Sequence, residues 1–189
     1  MLVGQTGFEP ATPSPPDWCA TKLRYCPFFL EVGPTGGPAL LVLAVGVKAK
    51  LFADGGSRGN PGPAASGAVL FAEDGSVLRE IGVYLGVTTN NVAEWTALVE
   101  GLRAALDLSV DEIEVRLDSE LVVKQLSGEY RVKHPGLVPL HAQAKTLLRK
   151  FARANVAHVR RKENAAADAL VNRVLDEHEA GTPDASAQL

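Results

Sequence analysis

From residue 48 onward, apolar residues recur with either a two-residue or a helical spacing, and the order of these two patterns restricts the fold. Alternating polar and apolar residues over Lys48–Ala53, Ser66–Ala72 and Val77–Val87 predict three strands. Turn-forming residues, such as Glu73–Ser76, separate these segments. Because the connections are short, the three strands are predicted to pair as an antiparallel meander.

A helical pattern follows the third strand. Apolar residues at positions 92, 95, 98, 99, 102, 105 and 106 predict a helix over Val92–Leu106, after possible capping residues at 88–91. The remaining predicted elements are a strand at Glu112–Leu117, a short helix from Ser119 to about Leu126 ended by Gly128, a helix at about Val138–Phe151, a strand at Asn155–Val159 and a helix at Ala165–His178 opened by Asn164. The order βββ-α-β-α-α-β-α predicts an α/β domain, with a five-stranded mixed sheet flanked by helices.

Residues 1–47 differ in composition from the rest of the chain. They hold seven of the 12 prolines, six of the 18 glycines and both cysteines, without regular apolar spacing. We therefore predict either a disordered extension or a misassigned start of translation, with Val45 or Val47 as alternative starts. The second interpretation is favoured by Gly7–Pro10, which resembles reading frames antisense to transfer RNA genes. Residues 48–180 form the predicted domain, and 181–189 a frayed tail.

Composition excludes several classes of protein. The longest apolar run, residues 39–47, is far shorter than the roughly 20 residues of a membrane-spanning helix, so no membrane association is expected. Cys19 and Cys26 fit neither a disulfide scaffold nor a zinc site, which favours a reducing, cytoplasmic setting. We expect a monomer. A net charge of -3 argues against a histone-like polycation.

The nearly neutral total hides a segregation of charge. Residues 122–162 carry ten bases and one acid, between two acidic stretches. Such a block can attract phosphate groups, and it can equally be the solvated face of helices. Charge alone leaves both interpretations open.

Four acidic residues occupy positions that packing does not explain: Asp54, Glu94, Asp118 and Asp168. They lie at predicted strand ends and helix starts, which can meet at one edge of a sheet. Clustered carboxylates repel each other unless a cation neutralises them, and hard oxygen ligands favour Mg²⁺, with Mn²⁺ as an alternative. Two such ions could activate water for phosphodiester hydrolysis. Singly, each residue could instead be a turn residue, a cap or an exposed helix residue.

Four segments around these acids, taken together, resemble type 1 ribonuclease H in its short, archaeal or actinobacterial form. The segments are Phe52–Pro63, Thr88–Glu94, Leu117–Val122 and Glu163–Leu170, and the resemblance covers about residues 48–178. It implies the ribonuclease H-like fold and an endonuclease that hydrolyses the RNA strand of RNA–DNA hybrids, leaving 3'-hydroxyl and 5'-phosphate ends. It also implies that Asp54, Glu94, Asp118 and Asp168 are the catalytic, metal-binding carboxylates. A noncatalytic nucleic-acid-binding module of the same fold is the alternative.

Residues next to these carboxylates are candidates for binding the hybrid. Gly55 and Gly56 would let the backbone approach a sugar–phosphate chain, and the amides of Asn60 and Asn90 could recognise a 2'-hydroxyl. Thr89 and Asn90 begin a helix, where phosphate is favoured, although Asn90 or Asn91 could simply cap it. Trp95 is expected in the core rather than as a base-stacking platform.

Two departures from the best-known bacterial members affect how the substrate would be held. Residues 128–137 are too few for the basic protrusion, so affinity would rest on the cations of the basic block: Lys124, Arg131, Lys133, His134, Lys145, Arg149 and Lys150. The loop before Asp168 carries Arg160 and Arg161 where many members have a mobile histidine. Either arginine could bind the scissile phosphate or the product, while His158 is expected to be a structural strand residue.

Overall fold

The computed structural model describes residues 46–181 of the chain. Its strands are β1 (Lys48–Ser57), β2 (Gly62–Ala72), β3 (Val77–Thr88), β4 (Glu112–Leu117) and β5 (Arg153–His158), and its helices are α1 (Asn90–Asp107), α2 (Glu120–Ser127), α3 (Val138–Leu148) and α4 (Ala165–Gly181). A single 3-10 turn, Arg161–Glu163, precedes α4. The predicted order of elements is confirmed. The disordered or mis-started extension and the frayed tail lie outside the described residues, except for residues 46, 47 and 181.

The five strands form one mixed sheet in the order β3-β2-β1-β4-β5. β1, β2 and β3 pair antiparallel, as the short turns between them require, whereas β4 and β5 run parallel to β1. The predicted meander and mixed sheet are therefore confirmed. Val47 lies just before β1, and its carbonyl oxygen accepts hydrogen bonds from the Asp111 and Glu112 amides at 2.8 and 3.1 Å.

Helices cover the two faces of the sheet unequally. α1 packs on one face, and its buried stripe, which includes Trp95, Leu98 and Leu102, meets Leu51 and Val115 in the main core. α4 packs on the opposite face of β1, β2 and β3. Neighbouring residues of β1 show this division, because Gly55 faces α1 while Gly56 faces α4.

Several boundaries differ from the sequence-based prediction, among them the start of β2 at Gly62 instead of Ser66 and the bounds of β5, Arg153–His158 instead of Asn155–Val159. β1 continues past Asp54 to Ser57, because β2 pairs with it as far as Ser57↔Ala64. α3 ends at Leu148, and Phe151 is buried just beyond the helix. The last helix continues past His178 to Gly181. Among residues 46–181, no helix has the length and apolar character needed to cross a membrane.

Candidate active site

The site lies where β1 and β4 stop pairing with each other. Their parallel ladder ends at Ala53↔Leu117, and the next residue on each strand is an aspartate, Asp54 or Asp118. Asp54 remains within β1 because it still pairs with Gly67 of β2. The parallel register thus brings the two carboxylates to the same end of neighbouring strands.

Glu94 reaches this point from the first turns of α1. Thr89 caps the helix, its hydroxyl accepting from the Val92 amide at 3.4 Å. The Glu94 carboxylate accepts one hydrogen bond from Asn90 Nδ2 at 3.0 Å and another from Ser119 Oγ at 2.8 Å. Both of its oxygens are therefore held by neighbouring side chains.

Asn164 joins Asp118 to the centre of the sheet. Its side chain is fully buried, and its Nδ2 donates to Ala53 O at 3.0 Å and to Asp118 Oδ1 at 2.9 Å. The backbone carbonyl oxygen of Asn164 accepts hydrogen bonds from the Ala167 and Asp168 amides at the start of α4, both at 3.1 Å. The Asn164 side chain thus ties β1 to Asp118 at the end of β4, while the backbone of the same residue begins α4.

Asp168 is held by two donors at the beginning of α4. Arg161 Nη2 contacts its Oδ1 at 2.6 Å, and Asn172 Nδ2 donates to its Oδ2 at 3.2 Å. The Arg161 side chain is otherwise exposed, so this ion pair is open to solvent. Arg161 is therefore the cation that the protein itself supplies to the carboxylate group.

All four carboxylates line one polar cleft of about 350 Å³, together with Arg58, Arg161 and Asn172. Burial, followed by repulsion from Asp118, raises the pKa of Asp54 to about 7, despite a hydrogen bond from the Gly55 amide. Burial and Asp118 also raise the pKa of Glu94, against the opposing effect of Ser119 and Asn90. The cleft thus concentrates more negative charge than its own donors neutralise.

The donor set fits a hard divalent cation. Carboxylate oxygens are the ligands that Mg²⁺ and Mn²⁺ prefer, and a cation would relieve the repulsion that raises the pKa of Asp54. In the conformation described for residues 46–181, no set of three or more acidic, histidine or cysteine side chains is arranged to hold a metal ion. Oxygens of these carboxylates instead accept hydrogen bonds from protein donors, namely Gly55, Asn90, Ser119, Arg161, Asn164 and Asn172. These donors orient the carboxylates that would hold the ion.

The raised pKa of Asp54 predicts a pH-dependent effect of Asp54→Asn on the metal-free protein. Between the unfolded value of 3.8 and the folded value of about 7, the folded state keeps a proton that the unfolded state has lost, so stability falls as pH rises. Asparagine does not ionise. Measured by urea unfolding in EDTA, the stabilisation by Asp54→Asn relative to wild type should be about 2 kcal/mol larger at pH 8 than at pH 5.

Magnesium provides the control for this measurement. Added at pH 8, it should stabilise the wild type more than Asp54→Asn, because the variant lacks one of the charges that the ion neutralises. An effect of the substitution that is equal at both pH values would contradict the assignment of Asp54 as a destabilised carboxylate.

The two glycines after Asp54 have a packing role that sequence reasoning did not anticipate. A Cβ on Gly55 would lie 2.1 Å from the Glu94 amide nitrogen, and one on Gly56 would lie 2.8 Å from Val171 Cγ1. The absence of side chains at these two positions therefore lets α1 and α4 pack closely against β1. That the backbone at Gly55 and Gly56 also contacts a substrate stays a prediction.

The other predicted binding residues are distributed around the cleft. Asn60 Oδ1 accepts from the Asn90 backbone amide at 3.3 Å, while the Asn90 side chain turns to Glu94. Thr89, rather than Asn90 or Asn91, caps α1. Arg161 lines the cleft, and Arg160 is exposed beside it without being one of the lining residues.

Trp95 and His158 differ in how they lie relative to the cleft. Trp95 is completely buried, and its Nε1 donates to Gln125 Oε1 at 3.3 Å, so it belongs to the core and is closed to bases. His158 ends β5, and its Nε2 lies 3.2 Å from the Asp118 carbonyl oxygen. His158 is thus a strand residue beside the site.

Sequence reasoning missed the residues that hold the carboxylates in place. Ser119 and Asn164 were expected only as helix caps, and Asn172 was not identified. The spacing of Asn172, one helical turn after Asp168, could have revealed it, since residues four apart share a helix face. Arg58, which forms ion pairs with Asp176 and Glu179 of α4, could not be inferred from a turn sequence.

Comparison with known proteins gives consistent similarities. A protein-family profile described as "Reverse transcriptase-like" matches residues 52–174. The chain is 48% identical over 131 residues, or 69% of its length, to a bifunctional protein of Mycobacterium tuberculosis, of which it spans only 36%. It is 44% identical over 144 residues to ribonuclease HI of Halobacterium salinarum, covering 76% of this chain and 72% of that protein.

Solved structures agree with these similarities. The N-terminal RNase H domain of the same mycobacterial protein superposes with a TM-score of 0.69 at 46% identity, covering 72% of this chain and 99% of that domain. LC11-RNase H1, in complex with an RNA/DNA hybrid, superposes with a TM-score of 0.64 at 41% identity, covering 69% of this chain and 98% of that one.

Proposed function

Because the chain belongs to the ribonuclease H family, we propose that it is an endoribonuclease that hydrolyses the RNA strand of RNA–DNA hybrids, leaving 3'-hydroxyl and 5'-phosphate ends. The observation that carries this proposal is that β1, α1, the turn after β4 and α4 bring four carboxylates into one cleft, namely Asp54, Glu94, Asp118 and Asp168. A noncatalytic binding module would gain nothing from four carboxylates facing a phosphate chain, since they repel it.

Asp54, Glu94, Asp118 and Asp168 would hold two Mg²⁺ ions, with Mn²⁺ as a possible substitute. When bound, such ions activate a water molecule and stabilise the leaving oxygen of the phosphodiester. The protein's own contribution is to place the ligands. Asn164 fixes Asp118 from one side, while Ser119 and Asn90 orient both oxygens of Glu94.

Arg161 is the residue best placed to bind the substrate phosphate. It lines the cleft, and its one carboxylate partner among residues 46–181, Asp168, is itself a proposed metal ligand. A guanidinium pairs readily with phosphate oxygens, and in this position Arg161 would hold the substrate phosphate beside the carboxylates. Arg160 lies next to it on the exposed surface and would contribute only general attraction.

Charge outside the cleft supports binding of a polyanion. Within residues 46–181, every lysine or arginine without a carboxylate partner, apart from Lys50, lies between residues 131 and 162. Most cations of the basic block, with the exceptions of Lys124 and Arg161, therefore have no ion pair within the described residues. Phosphate contacts of this kind hold a nucleic acid without reading its sequence.

The test is a substrate panel. End-labelled RNA–DNA hybrid, duplex DNA and duplex RNA are incubated with the purified protein in Mg²⁺, Mn²⁺ or EDTA. We expect cleavage of the hybrid's RNA strand alone, only with a divalent cation, and fragments whose 3' ends a polymerase extends, as a 3'-hydroxyl permits. Cleavage in EDTA would contradict the metal mechanism. Binding without cleavage in either metal would favour the noncatalytic module.

A further inference from the structure

The turn between β1 and β2, residues 58–61, begins at the cleft, which Arg58 lines. The turn closes on itself, since the Arg58 amide donates to Pro63 O at 2.8 Å. It is also tightly packed, because a Cβ on Gly62 would lie 2.1 Å from Arg58 O. Gly62 then pairs with Thr88 at the end of β3, beside the start of α1. The internal shape of the turn is thus set by its own backbone, whereas side chains connect it to the neighbouring helices.

Arg58 attaches this turn to α4. Its Nη2 binds the Asp176 carboxylate and its Nη1 binds the Glu179 carboxylate, so both arms of the guanidinium are occupied. Asp176 and Glu179 are three residues apart on α4 and therefore share one face of that helix. The planar fork of an arginine can hold two carboxylates at once, which the single ammonium group of a lysine does less well. Although Arg58 lines the cleft, its charge is thus already neutralised by α4.

Asn60 attaches the same turn to α1, on the opposite face of the sheet. Its Oδ1 accepts from the Asn90 amide at 3.3 Å. Asn90 is the first residue of α1, where a backbone amide has no partner within the helix. The Asn90 side chain in turn donates to Glu94 at 3.0 Å. The turn thereby connects α4, which carries Asp168, with α1, which carries Glu94.

We propose that Arg58 is a positioning residue, whose ion pairs with α4 hold the β1–β2 turn so that Asn60 stays against Asn90 at the cleft. This inference rests on the proposed function, because it assigns the turn to the surface on which the hybrid lies. Arg58 acts through the turn and does not itself bind phosphate. Exposed ion pairs usually contribute little to stability, but a pair that orders a binding surface in advance lowers the entropy cost of binding.

Steady-state kinetics on a labelled hybrid in Mg²⁺ test the proposal. Arg58→Gln should raise KM about three- to tenfold, because the turn must then be ordered when the hybrid binds. The kcat should stay within about twofold of wild type, since the donors that hold Glu94 are unchanged. Arg58→Lys keeps the charge but not the fork, so its KM should lie between these two proteins. Arg173→Gln is the matched control, because its 2.7 Å pair with Glu80 also joins α4 to the sheet, and its KM should equal that of wild type.

A double-mutant cycle separates positioning from direct binding of phosphate. In a protein that carries Asp176→Asn and Glu179→Gln, Arg58 has lost both of its charged partners, so adding Arg58→Gln should raise KM no further. An arginine that bound phosphate directly would lose at least as much affinity in this background as in wild type, and that result would overturn the proposal. An unchanged KM for Arg58→Gln alone would overturn it too, as would an equal rise for Arg173→Gln. Circular dichroism confirms that each variant is folded.

Hydrogen exchange of the Asn90 amide, followed by NMR in EDTA, needs neither substrate nor metal. Because this amide bonds to Asn60, its exchange reports the position of the turn. Exchange in Arg58→Gln should be about three- to tenfold faster than in wild type, and unchanged in Arg173→Gln. Equal exchange in Arg58→Gln and wild type would overturn the positioning role even if KM rose. If exchange is faster as expected but the wild type does not cleave hybrid, the proposed function fails while the connection from Arg58 to the turn is confirmed.

Discussion

Replacing Asp118 by asparagine is expected to lower kcat for hybrid cleavage by at least about a thousandfold, equivalent to about 4 kcal/mol of lost transition-state stabilisation. The substitution keeps the shape of the side chain and the oxygen that accepts from Asn164 Nδ2. It removes the charge that would bind a divalent cation at the end of β4. Steady-state kinetics on an end-labelled hybrid in Mg²⁺ measure the loss.

Asp107→Asn provides the matched control, since this carboxylate is exposed at the end of α1 and forms a 3.9 Å ion pair with Arg79, and neither residue lines the cleft. It should retain wild-type kcat. The melting temperature of Asp118→Asn in EDTA should not fall, because the variant also removes repulsion with Asp54. If Asp118→Asn retained full activity while folded, the assignment of this carboxylate to catalysis would be wrong.

The largest expected effect on stability is that of Gly55→Ala. The added Cβ would lie 2.1 Å from the Glu94 amide nitrogen and 2.2 Å from the Ala93 carbonyl carbon, both backbone atoms of α1. Backbone cannot rotate away as a side chain does, so α1 must move off β1. We expect the free energy of unfolding, measured with urea, to fall by more than about 3 kcal/mol, a large part of the total for a domain of this size.

Gly136→Ala is the comparison for this measurement. In the exposed loop, a Cβ at position 136 would meet only the His134 ring, at 3.3 Å, and that ring can move. Its effect should stay below about 1 kcal/mol. A similarly small effect for Gly55→Ala would contradict the packing of α1 directly on β1. Because Glu94 is at the point of contact, any Gly55→Ala protein that does fold should also show reduced cleavage.

The fold could be predicted because the spacing of its apolar residues directly reflects burial. In α1, five of the seven apolar positions that define the helical pattern, including Trp95 and Leu102, are buried in the core. In β4, alternation predicted both ends of the strand, since Ile113, Val115 and Leu117 face the core. Such patterns depend on short stretches of chain, which a sequence shows directly.

Features that depend on distant partners could not be predicted in this way. Glycines at 55 and 56 weaken the strand signal, yet β1 continues through them because β2 supplies hydrogen-bond partners. The caps are a second example. Ser119 and Asn164 were identified from helix starts, but the contacts of Ser119 with Glu94 and of Asn164 with Asp118 join residues 25 and 46 apart. No local pattern carries that information.

The charge pattern was predictable only in outline. The basic block over residues 122–162 is evident in the sequence, but the sequence does not show which of its members have ion-pair partners. Lys124 and Arg161 are neutralised by Glu120 and Asp168, whereas Arg131 and Lys133 are not. The ion pairs therefore distinguish two groups of cations. Lys124 and Arg161 are bound to carboxylates of the protein, whereas Arg131 and Lys133 are available to a ligand.

The buried hydrogen bond from Asn164 to Ala53 joins residues 111 positions apart in the chain. Until the ribosome has made α4, β1 and β4 lack both this tie and Asp168, so a growing chain carries only an incomplete set of carboxylates. If Asp168 is a catalytic ligand, as proposed, the nascent chain lacks cleavage activity until α4 has been made and has docked on the sheet. Any truncation before Asp168 would leave the protein permanently in that early state.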